Sequence, residues 1–127
     1  MSKVANDICV SCPHCQIYKI SRQVVGPPIL KIQPTCPFEI VATDIMLLPK
    51  TRRGNIGVLV AIDLYSKWLI AVPIRDKKGS TVSRLFYSNI LPNLQKVPSK
   101  VLSDNGKEFI CHEFRNMLKE FGIDHVK

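Results

Sequence analysis

The chain has 127 residues, 46% of them hydrophobic, which is enough for one domain with a real core and little more. Its 18 Lys and Arg outweigh 10 Asp and Glu, giving a formal charge of +8; phosphate backbones are the commonest partners for such a balance. No apolar stretch approaches the ~20 residues of a membrane span, and there are no internal repeats or low-complexity tracts.

The N-terminus lacks the apolar region of a signal peptide, so the expectation is a soluble intracellular protein with reduced cysteines. Residues 1–20 are polar and cysteine-rich. Cys9, Cys12 and Cys15 form two overlapping Cys-x-x-Cys pairs, whereas a zinc site needs four ligands. Recruiting His14 or Cys9 to complete a site would strain the geometry at such short spacing. Residues 21–37 carry Pro27, Pro28, Pro34 and Pro37 and read as a linker.

From Phe38 the pattern turns strand-like. Phe38 to Leu48 is largely apolar on both faces, as a central strand would be, and Asp44 interrupts it. Residues 49–55 form a basic turn, and Asn55 to Asp63 reads as a second buried strand. Trp68 to Ile74 is a third, with Pro73 marking its end or an edge. Short turns between them predict an antiparallel meander.

The period then becomes helical. Ser80 or Thr81 can cap a helix whose apolar face is Val82, Leu85, Phe86 and Ile90, with Pro92 stopping or kinking it. Lys100 to Asp104 is a short fourth strand before the turn signal Asn105-Gly106. A second helix spans residues 112–121, with Phe114, Met117, Leu118 and Phe121 as its stripe and Gly122 as its stop. Residues 123–127 begin a fifth strand. The order predicts an α/β domain with a mixed sheet.

Two acids stand out. A carboxylate withdrawn from water without a partner costs several kcal/mol, so Asp44 within one apolar run and Asp104 at the end of another suggest a divalent metal. If their strands are neighbours, the carboxylates converge, and Mg²⁺ or Mn²⁺ between such acids is a common apparatus for phosphoryl transfer. The competing reading makes Asp44 a turn cap and Asp104 the start of an Asx-turn with Asn105-Gly106. Asp63 reads as a hairpin residue bonding the Tyr65-Ser66 turn. Trp68 and Phe109 read as core residues, and Cys36 and Cys111 as isolated small hydrophobes.

Val41-Ala42-Thr43-Asp44, Val60 to Trp68 and Leu102-Ser103-Asp104-Asn105-Gly106-Lys107-Glu108-Phe109 together resemble the integrase catalytic core of gypsy-like LTR retrotransposons and retroviruses. The resemblance covers residues 34–127. It implies an RNase H-like fold: a mixed five-stranded sheet with flanking helices, the family's C-terminal helices falling beyond Lys127. It implies DNA 3′-end processing and strand transfer, in the nucleus, by three acids holding Mg²⁺ or Mn²⁺. Asp44 matches the first acid and Asp104 the second. The third follows the second by about 35 residues, past Lys127, so the expectation is a domain fragment incompetent alone. Glu108 is not that acid and reads as solvated or turn-stabilising, and Glu113 and Glu120 do not substitute for it.

Residues 11–19 resemble the end of the family's His-His-Cys-Cys zinc domain, with Cys12 and Cys15 as ligands and the two histidines upstream of Met1. Zn²⁺ is then expected only with those histidines. The division expected is a zinc-domain remnant over 1–20, a linker over 21–37 and a partial core over 38–127. Expected partners are DNA, through Lys67, Lys107, Arg52 and Arg53, and a second copy of the full-length parent, with no membrane. The alternative is a domesticated or decayed remnant acting as a non-catalytic nucleic-acid-binding module. Another RNase H-like nuclease or a DDE transposase is a third reading, against which the upstream cysteines argue.

Overall fold

The computed structural model describes residues 3–14 and 32–127. The chain divides into two units, Met1–Lys31 and Ile32–Lys127. In the first, helix α1 spans Lys3–Ser11, and Cys12 donates its N–H to Ile8 O at its end. Cys15 and most of the proline-rich stretch lie outside the described residues. No helix among the described residues is long and apolar enough to cross a membrane.

The second unit is a five-stranded sheet backed by helices. Strands β1 (Ile40–Leu47), β2 (Gly57–Asp63) and β3 (Leu69–Ile74) form the antiparallel meander. Helix α2 (Gly79–Leu85) starts the crossover to β4 (Lys100–Leu102), which pairs with β1 in parallel. Helices α3 (Lys107–Ile110) and α4 (His112–Glu120) then lead to β5 (Asp124–Val126), parallel to β4. The order is β3-β2-β1-β4-β5. Parallel neighbours require crossovers, and both crossovers here contribute helices to one packed layer.

Side-chain alternation assigns the two faces. Val41 and Thr43 of β1, Leu59 and Ala61 of β2, Val72 and Ile74 of β3 and Val101 of β4 are buried. They pack with Val82, Phe86, Ile90, Phe114 and Leu118 in one core. Phe114 is its hub: its ring meets Phe86 at 5.4 Å, Phe109 at 5.3 Å and His125 at 5.6 Å, all edge-to-face. Edge-to-face pairs add about 0.5–1.5 kcal/mol each beyond area burial.

The other face is open within this unit. Val58, Val60 and Ile62 are only half-buried, Asp44 is exposed and Met46 is 58% exposed. The pattern of Phe38–Leu48 suggested cover on both faces, but the two crossovers supply helices to one.

Just before β1 the Glu39 carboxylate accepts the Thr35 and Cys36 N–H groups and the Thr35 hydroxyl. Helix α2 starts at Gly79 with Lys78 as N-cap and no side-chain cap, so neither Ser80 nor Thr81 serves. A side chain at Gly79 would collide with Cys111, its Cβ coming within 2.9 Å of the Cys111 Cβ. Cys111 itself caps α4, its Sγ accepting the Phe114 N–H at 3.4 Å, a role beyond that of a small hydrophobe. After Leu85 the helix widens to a π-turn over Phe86–Ile90 and a 3₁₀ turn over Leu91–Asn93. Pro92 accounts for this: its ring would clash with the Ser88 carbonyl in a regular helix, and it offers no N–H. The Asn93 side chain bonds the Asn89 carbonyl at 2.7 Å.

Trp68 is not a core residue, whereas Phe109 is: Trp68 is 58% exposed and Phe109 1%. Trp68 has the parity of Ile70 and Val72 but precedes the strand, at the margin of the helical layer beside Asn93.

His125 reports on this core. Its Nε2 pairs with Ser103 Oγ at 2.7 Å, while its buried Nδ1 has no hydrogen-bond partner among the described residues. Burial, aided by the Lys127 and Arg115 charges, lowers its pKa. The unfolded chain therefore takes up the proton first, and stability falls as pH drops below about 6.5. Denaturant melts between pH 7.5 and 5 should show this loss. The His125→Gln variant should show a flatter dependence.

Candidate metal and nucleic-acid site

Three connections leave the sheet at one end, where β1, β3 and β4 finish: 48–56, 75–78 and 103–106. Ala42 pairs with Leu102 across the parallel β1–β4 ladder. Asp44 lies two residues further along β1 and Asp104 two residues past the end of β4, and the axes of these neighbouring strands are ~4.8 Å apart. The two acids therefore meet at the C-terminal edge of the sheet, Asp44 on its open face. Ligand sites of parallel sheets favour such edges.

Both carboxylates are exposed and lightly engaged. Asp44 Oδ1 accepts the Ile45 N–H at 2.7 Å, and Asp104 Oδ1 accepts the Gly106 N–H at 3.0 Å. The second bond is the Asx-turn that the Asn105-Gly106 signal suggested, and it leaves Asp104 Oδ2 uncommitted by that turn. A Cβ on Gly106 would lie 2.9 Å from Asp104 Oδ1 and 3.2 Å from Glu108 Oε1. Both carboxylates therefore flank one point that only glycine leaves clear.

Glu108 is neither solvated nor a simple turn residue. It is mostly buried and meets Lys77 Nζ at 2.9 Å. Burial pushes its carboxyl up, but its own N–H and Lys77 overcome this and hold it below the usual range. The Lys77 ammonium is raised first by Glu108 and further by the negative charges of Asp104 and Asp44. Lys77 therefore stands within electrostatic reach of both acids. Sequence spacing did not single it out, because its partner lies 31 residues away.

The remaining site residues separate. Lys107 is exposed at the start of α3, beside the Asp104 turn. Arg52 and Arg53 are exposed in the β1–β2 turn, at the same sheet end as the acids. Lys67 is not with them. It sits in the β2–β3 turn at the opposite end, its Nζ bonded to Leu64 O at 2.7 Å. Glu113 and Glu120 lie on α4, in the helical layer. Cys12 belongs to the first unit, with Cys15 outside the described residues. Among the described residues no three His, Cys, Asp or Glu side chains form a metal-holding cluster.

Asp63 is the structural counterexample. It is 1% exposed and accepts N–H bonds from Phe38 at 3.0 Å and Ser66 at 2.8 Å, together with the Ser66 hydroxyl. Burial pushes its carboxyl up, and the Ser66, Tyr65 and Phe38 bonds override that and hold it low. It closes the β2–β3 turn and is occupied with doing so.

This fold defines a class. The model of the integrase core domain matches residues 34–126, and the chain belongs to that family. Its sheet and helices form the RNase H-like fold of retroviral integrase catalytic cores. Gypsy retrotransposon integrase-like protein 1 of Homo sapiens is 26% identical over 98% of this chain and 24% of its own length. The Gag-Pol polyprotein of koala retrovirus is 34% identical over 58% of this chain and 4% of its own. The chain thus spans about a quarter of the first of these relatives. The catalytic core of HTLV-2 integrase, in complex with magnesium, superposes with a TM-score of 0.64 at 18% identity, over 75% of this chain and 62% of that one. The BIV integrase core superposes at 0.58 with 22% identity, over 70% and 53%.

Substitution of Asp63 separates the structural acid from the other two. Asp63→Ala leaves several buried donors unpaired and should destabilise the chain by about 2–4 kcal/mol. Divalent-metal affinity, titrated calorimetrically below the variant's melting temperature, should not change.

Proposed function

We propose that this core is part of an integrase-type polynucleotidyl transferase acting on DNA, with Asp44 and Asp104 as two of its metal-holding carboxylates. The observation that carries the reading is the β1–β4 register, with both acids two residues past the Ala42–Leu102 pair. Their exposed oxygens suit hard ions such as Mg²⁺ or Mn²⁺, and water or phosphate would supply the other ligands. When bound, such an ion supplies Lewis-acid activation of the nucleophile and neutralises charge gathering at phosphorus.

The chain's own residues have separate tasks. Asp44 and Asp104 supply oxygen ligands from two elements. Gly106 keeps room between Asp104 and Glu108. Glu108 holds Lys77 beside the acids, where its ammonium offsets their mutual repulsion and can meet a phosphate oxygen. In 3′-end processing the nucleophile is water; in strand transfer it is the freed 3′-hydroxyl. In each step the attacking oxygen bonds to phosphorus as the bond to a 3′-oxygen leaving group breaks. The first step gives a 5′-phosphate and a free 3′-hydroxyl, the second a new phosphodiester and a free target 3′-hydroxyl, with no enzyme-linked intermediate. A third acid would complete the family's ligand set, so the 127-residue chain on its own is incompetent for strand transfer.

Two measurements test this. Calorimetric titration with Mn²⁺ should show weak binding that Asp44→Asn or Asp104→Asn reduces by about tenfold or more, the loss of one charged ligand. Unchanged affinity in both variants would remove the metal assignment. In a strand-transfer assay with Mg²⁺ or Mn²⁺, the isolated chain should give no joined product; robust joining would refute the incompetence of this segment. Metal-independent DNA binding without Mn²⁺ affinity would favour the non-catalytic binding module.

A further inference from the structure

A second feature of the same sheet end is cationic. Arg53 from the β1–β2 turn, Arg75 from the β3–α2 connection and Arg84 from α2 line one open cleft of about 460 Å³. Among the described residues none of the three guanidinium groups forms an ion pair. Three like charges from three segments facing one concavity repel one another unless an anion lies between them.

The cleft contains one carboxylate, and it is already committed. Asp76 Oδ1 accepts the Lys78 N–H at 2.9 Å. Hydrogen bonds from the Lys78 N–H and the Thr81 hydroxyl hold its carboxyl low, and the Lys78 and Arg84 charges add to this. Asp76 therefore organises the connection while the balance of charge in the cleft stays positive. The turn bearing Arg53 is also fixed, with Thr51 N–H bonded to Asn55 O at 2.9 Å and Gly54 N–H to Thr51 O at 2.9 Å. Ile56 N–H bonds Ile74 O at 2.8 Å, tying that turn to the end of β3. The cleft walls are held by backbone, not by flexible side chains alone.

We propose that the Arg53–Arg75–Arg84 cleft binds consecutive phosphates of a nucleic-acid backbone. Guanidinium forks match phosphate oxygens in pairs, and the open shape suits a chain passing through more than a small enclosed ligand. β3 lies two strands from β1, and Arg75 lies four residues past Ala71, the β3 residue in register with Asp44 through Val60, so cleft and acids are on the order of 15 Å apart. The connection 75–78 joins them, sending Arg75 to the cleft and Lys77 to the acid pair. A strand with one phosphodiester at Asp44 and Asp104 would continue into the arginine cleft. That alignment rests on the proposed function; phosphate binding in the cleft does not.

The test uses the full chain, a fluorescent duplex of about 20 base pairs and EDTA, with anisotropy titrations between about 50 and 200 mM salt. EDTA makes the result independent of the metal assignment. The triple variant Arg53→Gln, Arg75→Gln, Arg84→Gln should bind at least about tenfold more weakly, with a log–log salt slope shallower by about 2–3. The charge-matched control Lys100→Gln, Arg115→Gln, Lys119→Gln should lose less than about threefold and keep its slope. Arg75→Gln alone, checked for an unchanged melting temperature, should reduce the slope by about 1 and keeps the test valid if the triple variant does not fold. Equal losses in the two triple variants would overturn the proposal, as would an unchanged slope. Micromolar displacement of DNA by inorganic pyrophosphate would overturn it too, by making the cleft a site for small phosphates.

Discussion

The pairing of β1 with β4 is the constraint on which the rest depends. Only three residue pairs join them, Ile40–Lys100, Val41–Val101 and Ala42–Leu102. Their register is pinned from below. The Glu39 carbonyl accepts the Ser99 N–H, the Ser99 hydroxyl and the Lys100 N–H, at 2.9, 2.9 and 3.2 Å. Val41 and Val101 are fully buried above that anchor. A slip of one residue would turn Val101 to the open face and move Asp104 out of line with Asp44. Both crossovers step across the sheet in the same direction, from β3 to β4 and from β4 to β5, and right-handed connections then put both on one face, so strand order determines the helical layer and the open side.

The two ends of the sheet use the same residue type in opposite ways. At one end Asp63 is buried and saturated with donors. Phe38 and Lys67, both at positive φ of 58° and 65°, lie beside it. Such conformations cost on the order of 1–3 kcal/mol each and persist only where the surroundings hold them. Here they are held: Phe38 N–H donates to the Asp63 carboxylate, and Lys67 N–H to the Asp63 carbonyl. At the other end Asp44 and Asp104 are exposed, with one backbone bond given above for each. Saturated oxygens can hold a turn but have nothing left for a ligand. The lightly bonded pair keeps lone pairs for one.

Much of this was legible in the chain. Strand runs, helix stripes and the Asp104-Asn105-Gly106 turn follow from periodicity and turn chemistry, which are local. The hairpin role of Asp63 followed from its distance to Tyr65 and Ser66. What stayed hidden depends on which surface covers which. Alternation shows that β1 has two faces, but not that helices cover one of them. Trp68 looked like core from its hydrophobicity, and only the extent of the helical layer leaves it outside. Lys67 looked close to the acids because it is near Asp63 in sequence, yet the meander carries it to the far end. Lys77 and Glu108, 31 residues apart, carry no local signature at all.

That ion pair also explains how two unrelated segments serve one site. Asp104 and Glu108 belong to one turn-and-helix element, while Lys77 comes from the crossover after β3. A charge pair spanning them fixes the crossover loop against the acid-bearing turn, and Cys111 packed on Gly79 fixes it again from the core side. Surface ion pairs are worth little by themselves. Glu108 is mostly buried, however, and loss of Lys77 would leave its carboxylate without its ion-pair partner next to Asp104. The position of the loop is therefore set by the charge of the site it borders. Arg75, two residues before Lys77 on the same loop, inherits that position, so the acid pair and the arginine cleft are held in one frame.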